Sequence, residues 1–156
     1  MAESFAVPTI SVSPAVGGTA TYALGTSGME VDSETYQQGY QNYIYAATPA
    51  AGYEFVRFEI TRTWDVYGES QRSDPTLSVA SNPYTSNGSF DVGSAAWYEY
   101  KGEWAGIPGY KAHVSSISVV AVFRRILTHL LVNSSTAENP AQLVYYPTTN
   151  LLVADF

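Results

Sequence analysis

The residues of this chain best equipped for chemistry are few, and their spacing argues against a catalytic centre. His113 and His129 are its two histidines, too far apart to form the one-turn pair that holds zinc on a helix. There is no cysteine, which excludes disulfides and thiolate metal sites outright. Glu99 and Glu103 are of the type that works in pairs in glycosidases, where two carboxyls stand roughly 5–10 Å apart. With 14 acidic residues in the chain, such a pair arises by chance. Gly102-Glu-Trp-Ala-Gly106 has neighbouring glycines but nothing to cradle a phosphate, and no nucleophile elbow, P-loop or dinucleotide fingerprint occurs. Glu30, Asp32 and Glu34 lack the turn glycine and distal glutamate of a calcium loop and read as a solvated loop. The expectation is a protein with no catalytic residues, no metal and no cofactor.

The residues with recognition chemistry are aromatic. Phe90, Trp97, Tyr98, Tyr100, Trp104 and Tyr110 fall between Ser86 and His113, among Gly, Ser and Ala. Large rings give wide contact area at low entropic cost, which is why Trp and Tyr dominate binding hot spots. These six residues are therefore the expected partner-binding set, with other protein subunits, or a second copy of the chain, as partners. Two alternatives stand beside that reading: the rings cover the sheet as a satellite core, or they form a platform on which sugars stack.

Strands must position these rings. Thirteen tyrosines, twelve glycines and eight prolines give a β-plus-turn profile. The patterning predicts strands at Pro8–Ser13, Thr19–Leu24, Gln41–Thr48, Tyr53–Trp64, Leu77–Ala80 and Val114–Arg124. In Tyr53–Trp64, Val56, Phe58, Ile60 and Trp64 share one parity, while Arg57, Glu59, Thr61 and Thr63 take the solvent side. Further strands are predicted at Thr128–Asn133, Gln142–Tyr146 and Asn150–Ala154, a C-terminal β-meander over 125–156. Phe123, Ile126, Leu127, Leu130 and Leu131 also fit a short helical stripe. Asn87-Gly-Ser and Asn133-Ser-Ser read as turns.

Charge narrows the partners. A net charge of −7 and scattered basic residues argue against nucleic acid, which needs a basic face. The N-terminal residues lack the pattern of a signal peptide, and the apolar runs Val119–Phe123 and Leu130–Val132 are too short to span a bilayer.

Five pieces of the chain, taken in order, resemble a known module. Ile10-Ser-Val-Ser-Pro-Ala-Val-Gly-Gly-Thr-Ala20, Tyr36-Gln-Gln-Gly39, Ala46-Ala-Thr-Pro-Ala-Ala-Gly-Tyr-Glu-Phe-Val-Arg-Phe58, Asn82-Pro83-Tyr84-Thr85 and Val119-Val-Ala-Val-Phe123 are similar to a divergent internalin-type (Listeria–Bacteroides) B-repeat over roughly residues 8–124. The resemblance implies a small antiparallel or mixed, β-grasp-like sheet with a Gly turn at Tyr36–Gly39. It also implies long insertions at Asp65–Thr76 and Ser86–His113. Members of that family are non-enzymatic spacers and adhesive units of bacterial surface proteins. The expected function is thus a non-enzymatic structural protein of a larger assembly, a bacteriophage virion component docking through its aromatic loops. A bacterial cell-surface adhesin or glycan-binding module is the alternative.

Overall fold

The computed structural model describes residues 4–33, 36–67, 70–104 and 106–127. The expected C-terminal strands and meander, His129 and Asn133-Ser-Ser lie outside them. The chain divides into two units, Met1–Arg124 and Arg125–Phe156, and the sheet belongs to the first.

In order, the elements are β1 (Thr9–Ser13), a 3-10 turn (Ala15–Gly17), β2 (Gly18–Ser33), β3 (Tyr36–Pro49), β4 (Tyr53–Val66), β5 (Arg72–Ser73), β6 (Leu77–Val79) and β7 (Tyr84–Thr85). They continue with β8 (Ala95–Tyr100), β9 (Glu103–Trp104), β10 (Ile107–Pro108) and β11 (Lys111–Arg125). The fold is mainly β, and its main sheet runs β2-β3-β8-β11-β4-β5. β3 pairs antiparallel with β2, β7 and β8, β8 with β11, and β4 with β5 and β6, whereas β1 lies parallel to β11 with Thr9 opposite Ser118 and Ser13 opposite Val122. No helix among the described residues is long and apolar enough to cross a membrane.

Two long strands carry the core. In β4 the even positions Phe58, Ile60, Arg62, Trp64 and Val66 are all buried, and the odd positions Arg57 to Asp65 are half-buried. In β11 the buried parity is even at Ala112 and Val114 and odd at Ile117, Val119, Ala121 and Phe123. The switch falls at Ser115–Ser116, between the stretch that pairs with β8 and the stretch that pairs with β1. Such a one-residue irregularity re-aims a strand without ending it. Facing these rows, Tyr43, Tyr45 and Ala47 of β3 complete the core, with Phe55 packed edge-on against Phe123 at 5.9 Å between ring centres.

The turns follow glycine chemistry. Gly52 adopts φ +85° between β3 and β4, where any other residue is strained. Gly17 and Gly18 serve close approach: a Cβ on Gly18 would meet Thr48 O and come within 2.7 Å of the Phe123 ring.

The sheet differs from the expectation at three places. Tyr36–Gly39 is strand, the first residues of β3, because β8 pairs with it from Tyr36↔Tyr100 to Gln41↔Ala95. Gly39 is there to seat a ring: the Trp97 indole lies over it, with Nε1 2.5 Å from where a Cβ would sit. Glu30 and Asp32 belong to β2 and not to a loop, since the β2–β3 hairpin runs on through Glu30↔Gln38 and Val31↔Gln37; Glu34 lies outside the described residues. The stretch Ser86–His113 contains β8, which is the middle of the sheet and joins β3 to β11. Backbone pairing on both edges makes it integral. At the disputed Phe123–Leu131 segment, β11 continues through Arg125, and Ile126 and Leu127 are exposed and outside any strand.

Candidate functional site

The six expected aromatics part company in the structure. Trp97 is 3% exposed, packed between Gly39 and its neighbours, so it offers nothing to a partner. Its burial follows from its seat on β8, paired on both edges with Gly39 and His113. Tyr98 and Tyr110 are partly buried against the core, and Tyr100 is half-buried. Trp104 lies on β9 in the ribbon that β9 and β10 form at the tip of the β8–β11 arm. Phe90 stands apart at 83% exposed.

Phe90 lies within residues 86–94, the connection from β7 to β8, and that connection is fastened on both sides of the ring. Ser86 N–H donates to Tyr43 O, and Tyr43 N–H donates back to Ser86 Oγ, both at 2.9 Å. Gly88, at φ +82°, donates its N–H to Asn42 Oδ1 at 2.7 Å. Ser94 Oγ, fully buried, reaches both Asn42 Oδ1 and Ser86 Oγ at 2.7 Å. Asp91 accepts from Tyr84 OH at 2.6 Å, from Asn87 N–H at 3.0 Å and from Gly93 N–H at 2.8 Å. Tyr45 OH donates to Gly93 O at 2.5 Å.

Beneath the connection lies Arg62, 3% exposed. Its guanidinium pairs through Nε with the Asp74 carboxylate and donates through Nη1 to Ser94 O at 2.7 Å and through Nη2 to Ser89 O at 3.0 Å. Asp74 also accepts from Trp64 Nε1 at 2.9 Å, and the Arg62 guanidinium lies 4.8 Å from the Trp64 ring centre. A buried charge is tolerable only when it is paired and hydrogen-bonded, and here each of the three guanidinium nitrogens makes a bond. Asp74 comes from the stretch read as the first insertion, Asp65–Thr76, so both expected insertions are tied to the sheet through one guanidinium.

The rings continue from Phe90 in a row. Phe90 is 6.3 Å from Tyr98, Tyr98 stacks on Trp64 at 5.4 Å and on Tyr36 at 6.4 Å, and Tyr36 meets Tyr100 at 5.6 Å. Burial pushes the Tyr98 phenol above its ordinary pKa, and burial does the same for Tyr45 and Tyr84, aided at Tyr84 by its bond to Asp91. These groups stay neutral across the physiological range, and Tyr45 and Tyr84 remain donors.

Glu99 lies 4.0 Å from Lys111 across the β8–β11 ladder, and His113 Nε2 is 3.6 Å from Asp65 Oδ2 at the surface. Among the described residues no three His, Asp or Glu side chains gather as a metal site would require.

Asn42, Arg62, Ser86, Asp91 and Ser94 went unnoticed in the sequence. One signal was present for Arg62: it occupies the inward parity of β4 between Ile60 and Trp64, where a charge has to find partners. Asn42 and the serines left no local trace, since the bonds Tyr43–Ser86, Asn42–Gly88 and Asn42–Ser94 that bring them together span 43 to 52 positions.

Comparison of the chain with protein-family models, curated proteins and solved structures finds no match.

Proposed function

We propose that the chain is a non-enzymatic structural subunit that docks onto other protein subunits of a larger assembly, with Phe90 as its leading contact. The observation that carries this reading is an exposed ring on a connection already immobilised by the fold. A partner that buries Phe90 then meets little ordering cost, one of the terms that otherwise subtracts from binding free energy. The half-buried Tyr98, Tyr36 and Tyr100 extend the contact beside it.

Of the assemblies open to such a subunit, a bacteriophage particle is the one we favour, as a decoration, tail or baseplate accessory. A cysteine-free, acidic chain with a compact β-sheet and a projecting aromatic contact suits a protein that folds in the host cytoplasm and then docks. A bacterial surface adhesin or glycan-binding module is the second reading. The row Tyr36–Tyr98–Tyr100 favours it, because stacked half-exposed rings also receive sugar faces; so does the B-repeat resemblance.

A photo-crosslinking phenylalanine analogue at position 90, introduced in the producing cells, tests the two together. Capture of one defined particle subunit supports the assembly reading. Binding on a glycan array that Phe90→Ala abolishes, with no protein captured, replaces it with the second.

A further inference from the structure

From the other side of the sheet, the geometry points to a second, independent contact: β2 is a self-pairing edge, on which two copies of this chain join their sheets about a two-fold axis at Tyr22. Among the described residues β2 pairs with β3 alone, so its other edge carries unused backbone donors and acceptors. Which residues point that way follows from β3. Ala47 N–H takes Asn82 Oδ1 at 2.9 Å and Ala47 O accepts Asn82 Nδ2 at 2.8 Å, while Tyr43 is bonded through both groups to Ser86. Tyr43 and Ala47, and by alternation Tyr45 between them, therefore direct their backbone away from β2. In an antiparallel ladder the residues opposite do likewise. Those residues are Leu24, Tyr22 and Ala20, and their N–H and C=O groups face the free edge.

The same residues carry uncovered apolar side chains. Leu24 is 69% exposed and Tyr22 38% exposed, although they stand on the face of Tyr43 and Tyr45, with the Tyr22 ring edge-on to Tyr43 at 5.7 Å. An added strand would take up the backbone groups and extend the core face over these side chains at once. A β edge selects an extended backbone as its occupant.

The segment is built to receive its own copy. Turned antiparallel about Tyr22, it sets Tyr22 against Tyr22 and the small Ala20 against the large Leu24, each pair with outward N–H and C=O in hydrogen-bonding register. From Gly18 to Met29 there is no charged residue, so two chains of net charge −7 meet here without local repulsion. The lysines, prolines and inward charges with which edges are usually blocked are missing from that run. One blocking device is present, and it bounds the site. A bulge places Gly25 and Thr26 opposite Asn42, which fastens it by donating from Nδ2 to Thr26 Oγ1 at 2.7 Å.

The absence of cysteine makes the test clean. Light scattering of the full chain across a wide concentration range should show a monomer–dimer equilibrium, and Leu24→Lys should leave a folded monomer with the same circular dichroism. Tyr22→Cys should form a disulfide dimer on mild oxidation, because a hydrogen-bonded antiparallel pair holds its Cα atoms about 5.5 Å apart, within disulfide reach. Leu24→Cys should not, since its copy lies about 13 Å away along the strand. A wild-type chain that stays monomeric, a dimer untouched by Leu24→Lys, or equal crosslinking at 22 and 24 would overturn the assignment.

Discussion

Residues 86–94 and the strand β2 both meet solvent, by opposite means. The connection 86–94 has no ladder of its own, and its backbone is held by side chains reaching up from β3 and β4: Asn42, Tyr45 and Arg62. Strand β2 has a bulged antiparallel ladder on one edge and no paired strand among the described residues on the other. The first presents one ring on a fixed support; the second presents a row of backbone groups. Rigidity at the first comes from buried polar chemistry, and at the second from the backbone ladder with β3. Asn42 touches both, since its Oδ1 holds Gly88 and Ser94 while its Nδ2 holds the β2 bulge at Thr26.

This contrast breaks most severely at Arg62. Arg62→Met takes the guanidinium from the half-buried Asp74 carboxylate and from the Ser89 and Ser94 carbonyls, and should cost about 3 kcal/mol, readable in urea unfolding. Asn42→Ala removes the acceptor shared by Gly88 and Ser94 and should cost about 2 kcal/mol. It should also disturb both regions, so that amide exchange rises at Gly88 and at Thr26 together. Should only one respond, the two surfaces are independent.

Tyr45→Phe is smaller, about 1 kcal/mol for the lost bond to Gly93 O. The tyrosines also set an alkaline limit. Burial first, and then neighbouring Tyr43 and Asp91, raises the Tyr45 pKa well above the ordinary value near 10, so the folded state keeps a proton that the unfolded chain releases. Stability is then complete below about pH 10 and falls as pH rises beyond it. Phenolate absorbance should appear in two phases, with Tyr45 and Tyr84 ionising only as the fold is lost, and Tyr45→Phe should shift that second phase. The smallest effects on folding belong to the presented groups themselves. Phe90→Ala and Leu24→Lys should each change unfolding free energy by no more than about 0.5 kcal/mol, as substitutions at exposed positions do. A large loss at Phe90 would mean that the ring is a cover for Tyr98.

The strands of the core were legible because a half-buried strand writes its burial in alternate residues, as Phe58, Ile60 and Trp64 do. The same alternation marked Arg62, yet a charge in an apolar row is easily passed over as a break in the pattern. The aromatic run was legible as a group but not as individuals. Phe90 follows the turn residues Asn87-Gly-Ser and Trp97 follows Ala95-Ala96, and the pairing of β8 on both edges is what sends Trp97 inside. Glu30 and Asp32 looked like loop because the hairpin carries its ladder beyond its apolar part. The serines of the buried cluster are ordinary turn residues until Asn42 and Arg62 are placed beneath them.

Amide hydrogen exchange of the free chain, residue by residue across 86–94, tests the central claim most directly. If the connection is fixed before any partner arrives, Ser86, Gly88, Gly93 and Ser94 will be protected to a degree comparable with the central strands β3 and β8. Exchange at the rate of an open loop would show that the fold does not hold Phe90 in place, and the account of a prepared contact would fail.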